Sequence, residues 1–127
     1  MFRRIDHVEI VPKDLERSIR FYSEVLGFRL KSRHPVPNPP MREVVYLTLG
    51  DTMLELIGAD VGTSGDPEKW QVGFRGIALE VEDMPAALQA LSDRGVAAAR
   101  EPVDLGNSIR AEIRDPDGLI VELRQWK

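Results

Sequence analysis

Apolar and polar positions alternate over residues 5–11, which predicts a strand with Val8 and Ile10 on one face and Ile5, His7, Glu9 and Val11 on the other. Asp14 then suits the N-cap of a helix whose apolar positions Leu15, Ile19, Tyr22 and Leu26 are spaced 4, 3 and 4 residues apart. Gly27 stands where a left-handed residue closes a helix. Residues 28–32 predict a second strand. Residues 33–42 hold Pro35, Pro37, Pro39 and Pro40, and because proline cannot donate to a ladder they are expected to form an extended loop. Residues 43–49, a Gly50-Asp51 turn and residues 52–57 predict a hairpin.

Residues 58–73 carry four glycines and little periodicity, so they read as a linker. The pattern then restarts. Residues 76–81 predict a strand, Asp83 a cap with Pro85 in the first helical turn, and Met84, Leu88 and Leu91 an apolar stripe that Gly95 ends. A short strand near Val96, a loop, a strand over 109–114, a turn at Asp115-Pro116-Asp117-Gly118 and a last strand over 119–124 complete the half. Asp14 falls on Asp83, Leu15 on Met84, Ile19 on Leu88, Tyr22 on Leu91 and Gly27 on Gly95, while Leu54-Glu55-Leu56 falls on Val121-Glu122-Leu123. An internal repeat in the same element order predicts one α+β domain of two tandem βαβββ modules. Module 1 covers about 1–58, the linker about 58–74 and module 2 about 75–127. Together they are expected to form an eight-stranded, curved, mostly antiparallel sheet, a cup with the helices outside. Val8 and Ile10 would face the helices, and His7 and Glu9 the concave side.

Composition narrows the function. The chain has 127 residues, 43% apolar and 30% charged, enough for an ordinary core. Its net charge of −4 is spread along the sequence, which excludes a basic nucleic-acid footprint or an anionic membrane surface. Without cysteine there is no disulfide, thiolate ligand or cysteine nucleophile. No apolar run approaches the ~20 residues of a membrane span, and no signal-peptide core precedes the first strand, so a cytoplasmic location is expected. Walker-type, dinucleotide and Gly-x-Ser-x-Gly motifs are absent.

Three concave-face positions carry candidate chemistry: His7, and the repeat-equivalent Glu55 and Glu122. One imidazole and two carboxylates suit a divalent cation such as Zn, Ni, Co, Mn or Fe. Two carboxylates gathered in an apolar cup without a cation would be costly, although Arg124, two residues from Glu122 on the same face, offers a neutralising partner. Glu9 shares the face of His7 and is a candidate general base or a residue that orients the imidazole, or it is a solvated residue at the mouth. His34 is a candidate lid residue or substitute ligand, or a solvated loop histidine.

The run IDHVEIVPKDLERSIRFYSEVLGF resembles the opening module of the vicinal oxygen chelate superfamily, the group of glyoxalase I, bleomycin-resistance proteins and extradiol dioxygenases. GDTMLELI is similar to its metal-bearing fourth strand, GIALEVEDMPAALQALSDRGV to its second module opening and RDPDGLIVEL to its closing hairpin. The resemblance implies paired βαβββ modules, often a homodimer, and up to four metal ligands from four corresponding strands. Carried onto this chain, the first ligand is His7, the second Glu55 and the fourth Glu122. The third, usually histidine before Ile-Ala-Leu, is Gly76 here, which leaves a one-histidine, two-carboxylate set with an open coordination position or a weaker site. That departure counts against the two-histidine iron site of extradiol dioxygenases.

Two functions follow as expectations. The first is a metal-dependent lyase or isomerase, glyoxalase I-like or epimerase-like, acting on a small oxygenated substrate through a metal-stabilised enolate. Glu122 or Glu9 would move the proton. The second is a metal-free, antibiotic-sequestering protein of the bleomycin-resistance type, for which Trp70 and Trp126 are candidate aromatic contacts. The segment 33–42 and the linker are expected to form the specificity-setting rim.

Overall fold

The computed structural model describes residues 4–60 and 74–127. The chain divides into two compact units, Met1–Ser64 and Gly65–Lys127. In the first, β1 (Val8–Ile10) leads into α1 (Leu15–Arg20), a π-helical turn (Phe21–Val25), β2 (Arg29–Asn38), β3 (Met41–Leu49) and β4 (Thr52–Ala59). In the second, β5 (Gly76–Glu80) is followed by α2 (Met84–Asp93), β6 (Arg100–Asp104), β7 (Ser108–Arg114) and β8 (Ile120–Trp126). Each unit is thus a βαβββ module with its own four-stranded mixed sheet, ordered β1-β4-β3-β2 and β5-β8-β7-β6. The first strand of each pairs in parallel with the last, and the other pairings are antiparallel.

Local chemistry explains the elements. Asp14 and Asp83 accept from the backbone N–H of Arg17 and Ala86, so each helix starts where a carboxylate satisfies an orphan donor. Gly27 and Gly95, at φ +82° and +79°, close the two helical segments in the left-handed region that a side chain disfavours. The last turn before Gly27 widens, with Leu26 N–H donating to Phe21 C=O at 3.1 Å. Adjacent Phe21 and Tyr22 are both buried and meet edge to face, and Tyr22 meets Phe28 in the same way.

Alternation sorts each sheet into a helix face and an opposite face. In β4, Leu54, Leu56 and Gly58 face α1, and a Cβ at Gly58 would lie 2.8 Å from Leu15 Cδ2, so glycine there admits the helix. Val45 and Leu47 of β3 pair with Leu56 and Leu54 and complete that core. In the second unit, Ala111, Ile113, Val121 and Leu123 form the equivalent layer, with Met84 and Leu91 of α2 buried as well. Gln125 Oε1 accepts from Met84 N–H at 2.6 Å and ties β8 to the start of α2.

Four expectations need correction. Residues 33–42 are mostly strand: β2 runs through Pro35 and Pro37 to Asn38, and only Pro39 and Pro40 make the turn into β3. The strand tolerates proline because it is the outer strand of its sheet, where a missing N–H interrupts little of the ladder. The strand after α2 lies at Arg100–Asp104 rather than near Val96, whose N–H instead donates to Leu91 C=O to close the helix. The first strand is trimmed to Val8–Ile10; Ile10 is buried, whereas Val8, expected against the helix, is 37% exposed. Gly58 and Ala59 belong to β4, and most of the expected linker, with Trp70, lies outside the described residues. No helix among the described residues is long and apolar enough to cross a membrane.

Candidate metal centre

The face of the first sheet turned away from α1 carries the polar row. Parallel pairing sets Glu9 beside Glu55, antiparallel pairing sets Tyr46 on the other side of Glu55, and His7 lies two residues before Glu9 on the same side of the chain. His7, Glu9 and Glu55 each offer a ligand atom, all within 4.8 Å of one another. His7 Nε2 is 3.1 Å from Glu55 Oε2 and 3.4 Å from Glu9 Oε1. Its other nitrogen, Nδ1, lies 2.8 Å from Asp6 Oδ2.

This donor set fits a divalent cation. An imidazole whose far nitrogen is held by a carboxylate is oriented and made more basic, as metal-ligating histidines commonly are. Glu55 is only 5% exposed, a burial that disfavours a bare carboxylate, and Glu9 brings a second carboxylate to the same point. The hydrogen bond to Asp6 raises the His7 pKa against the opposing effect of partial burial, with Glu9 and Glu55 adding to the rise. The same bond lowers the Asp6 carboxyl. Burial, and then the Glu55 carboxylate that its hydroxyl meets, push Tyr46 upward. The Tyr46 ring also meets those of His7 and His34 in edge-type contacts, at centroid separations of 6.2 and 6.1 Å. His34 therefore stands on β2 beside the row and is not a loop residue. Tyr46 was not singled out in the sequence; its signal is its place opposite Glu55 once the hairpin register is counted.

Glu122 has different company. Arg110 Nε donates to its Oε2 at 2.9 Å and Arg124 Nε to its Oε1 at 3.0 Å. Burial acts to raise its pKa, but the two guanidiniums outweigh it and hold the carboxyl below its ordinary value. Arg110 also reaches Glu112 Oε2 at 3.2 Å, and Arg114 Nη2 lies 3.0 Å from Glu112 Oε1. Glu112, 2% exposed, is a second residue that sequence reasoning missed, although a glutamate between Ala111 and Ile113 in a strand was visible. Gly76, at the position of the usual third ligand, offers no side chain and lies against Ile120. A Cβ there would lie 2.5 Å from Ile120 O and 2.8 Å from Ile120 Cβ, so the strand pair packs too closely for any side chain. Of the expected ligands, His7 and Glu55 come together with Glu9, while Glu122 sits among arginines.

The sequence profile of the Glyoxalase/Bleomycin resistance protein/Dioxygenase superfamily matches residues 4–123. The chain belongs to this superfamily. Within the superfamily it is 32% identical to the human protein named methylmalonyl-CoA epimerase, mitochondrial, over 96% of this chain and 73% of that one. It is 31% identical to the lactoylglutathione lyase of Neisseria meningitidis serogroup A, over 98% and 91% of the two chains. Among solved structures it resembles TnmS3, an antibiotic-binding protein from Streptomyces sp. CB03234, with a TM-score of 0.78, 25% identity and coverage of 100% of this chain and 99% of that one. Superfamily membership accords with the two βαβββ modules, and relatives of these names put lyases and epimerases beside a small-molecule binder.

Proposed function

We propose that this chain is a metal-dependent lyase or epimerase that moves a proton next to a carbonyl group of a small oxygenated substrate. The observation that supports this most is the convergence of His7 Nε2 with the Glu9 and Glu55 carboxylates on one face, with Asp6 behind the imidazole. In this reading His7 and Glu55 hold a divalent cation of the Zn, Ni, Co, Mn or Fe class. Such an ion would polarise a substrate carbonyl and make the neighbouring C–H more acidic. Glu9, 59% exposed at its side chain and on the same face, takes the proton and returns it. Asp6 keeps the His7 ring turned toward the site. Glu122, the expected fourth ligand and alternative proton carrier, would have to leave Arg110 and Arg124 to serve, so Glu9 is assigned the proton transfer.

Both relatives' names point to thioesters with a C–H beside the thioester carbonyl, and we assign that substrate class here. The test is α-proton exchange in D2O, followed by proton NMR with methylmalonyl-CoA and S-lactoylglutathione, together with metal content after chelator-free purification. Wild type is expected to hold about one ion per site and to wash deuterium into at least one thioester. Glu9→Gln should keep the ion and lose the exchange, and His7→Ala should lose both. A protein that takes up no divalent metal and exchanges neither thioester sinks the proposal.

The missing histidine at Gly76, together with the likeness to an antibiotic binder, favours a second reading, a metal-free protein that sequesters a small organic ligand. A thermal-shift panel separates the two. Stabilisation by divalent metals supports catalysis, and stabilisation by organic ligands alone supports sequestration.

A further inference from the structure

We propose that the β7–β8 face of the second unit binds an anionic group, a carboxylate or a phosphate, on Arg110 and Arg124. The two arginines are direct cross-strand partners, as are Glu112 and Glu122 one step along, with Arg114 beyond Glu112. All five point away from the α2 layer, because they alternate with buried Ala111, Ile113, Val121 and Leu123. Their sum is three positive and two negative charges, 3 − 2 = +1, on a chain whose net charge is −4. Like charges directly opposite each other repel, so Glu122 between Arg110 and Arg124 makes the pair possible without exhausting it. Arg110 uses Nε toward Glu122 and Nη2 toward Glu112, and among the described residues its Nη1 has no acceptor.

The pair is also held in place. Arg124 Nη1 donates to the buried Ser108 Oγ at 3.2 Å, and its guanidinium lies 5.4 Å from the centre of the Trp126 ring. The Arg110 and Arg124 side chains are only 35% and 24% exposed, so an anion meets them at lower effective dielectric than on open surface. A planar fork with a spare amino group matches carboxylate and phosphate oxygens. Among the described residues of this unit, no comparable group gathers for a cation. The positions that correspond to His7 and Glu9 are Gly76 and Ala78, which offer no ligand atom, and both glutamates are engaged by guanidiniums. The inference stands on the second unit alone and does not need the metal reading of the first.

The experiment is an NMR titration of the whole chain with malonate in one arm and inorganic phosphate in another, following the Arg Nε–Hε and Trp126 indole signals. Saturable shifts at Arg110, Arg124 and Trp126 are expected, and the stronger arm names the anion. Arg110→Gln should weaken binding about tenfold, Arg110→Lys less, and Arg29→Gln on β2 not at all. Should Arg110→Gln unfold, the wild-type Nε shifts still decide. No saturable shift in either arm overturns the proposal, as does equal weakening by Arg110→Gln and Arg29→Gln.

Discussion

In the first unit β3 sets Tyr46 opposite Glu55, and β1 adds Glu9 beside it with His7 two residues back. In the second, β7 sets Glu112 opposite Glu122, while β5 supplies Ala78 and Gly76. Backbone pairing is the same step for step, since Val8 meets Leu54 as Ile77 meets Val121. What differs is charge. One row gathers an imidazole and carboxylates around a point suited to a cation; the other gathers three guanidiniums around two carboxylates. A duplicated strand plan therefore fixes where a polar row stands, and the few side chains on that row decide the sign of the ligand it can take.

The comparison breaks most visibly if the two matched glutamates respond alike. Glu55→Gln and His7→Ala are expected to lower affinity for Co(II) or Ni(II) by on the order of 100-fold, since each removes a donor from a small set. Glu122→Gln should leave that affinity within about twofold, because its carboxylate is occupied by arginines in the other unit. Isothermal titration of the three variants measures this. Equal losses for Glu55→Gln and Glu122→Gln would return Glu122 to the ligand set.

A second test compares the positions of His7 and Gly76. Gly76→Ala is expected to destabilise the fold by about 1–3 kcal/mol in urea unfolding, because its Cβ meets the backbone oxygen of Ile120 rather than a movable side-chain end. Gly76→His should cost at least as much and gain no metal affinity. A stable Gly76→His protein that binds metal more tightly would show that the two halves differ by one residue rather than by packing.

Tyr46→Phe sharpens the comparison further, since it keeps the ring against His7 and His34 and removes only the hydroxyl that meets Glu55. Loss of about 1 kcal/mol of stability and about tenfold in metal affinity is expected. An unchanged affinity would mean that Glu55 is positioned without it.

The element order and the placing of His7, Glu9 and Glu55 on one face were legible because they rest on local signals. Asp14 and Asp83 announce helices, Gly27 and Gly95 end them, and alternation in β4 puts Glu55 opposite the helix face. What escaped depends on neighbours in space. Pro35 and Pro37 look like breakers until β2 is known to be an outer strand. Tyr46 and Glu112 gain meaning only from the residues across the ladder, and Arg110 lies 12 positions from the Glu122 it neutralises. At Gly76 the sequence shows the lost imidazole but not the approach of Ile120.

The smallest expected effect concerns protons at Glu122. Its two guanidiniums hold the folded-state pKa below the ordinary value of 4.5, so the unfolded chain binds a proton at a higher pH than the folded one. Stability from this carboxylate is then fully present above the unfolded value and is lost as pH falls through the lowered folded value. The difference in unfolding free energy between wild type and Glu122→Gln should stay level from neutral pH down toward the unfolded value and shrink below it. Chemical denaturation at a series of pH values measures that gap. If wild type instead gained on Glu122→Gln as pH fell through a range above the ordinary carboxylate value, burial, not Arg110 and Arg124, would govern Glu122, and the contrast in charge between the two rows would lose its main support.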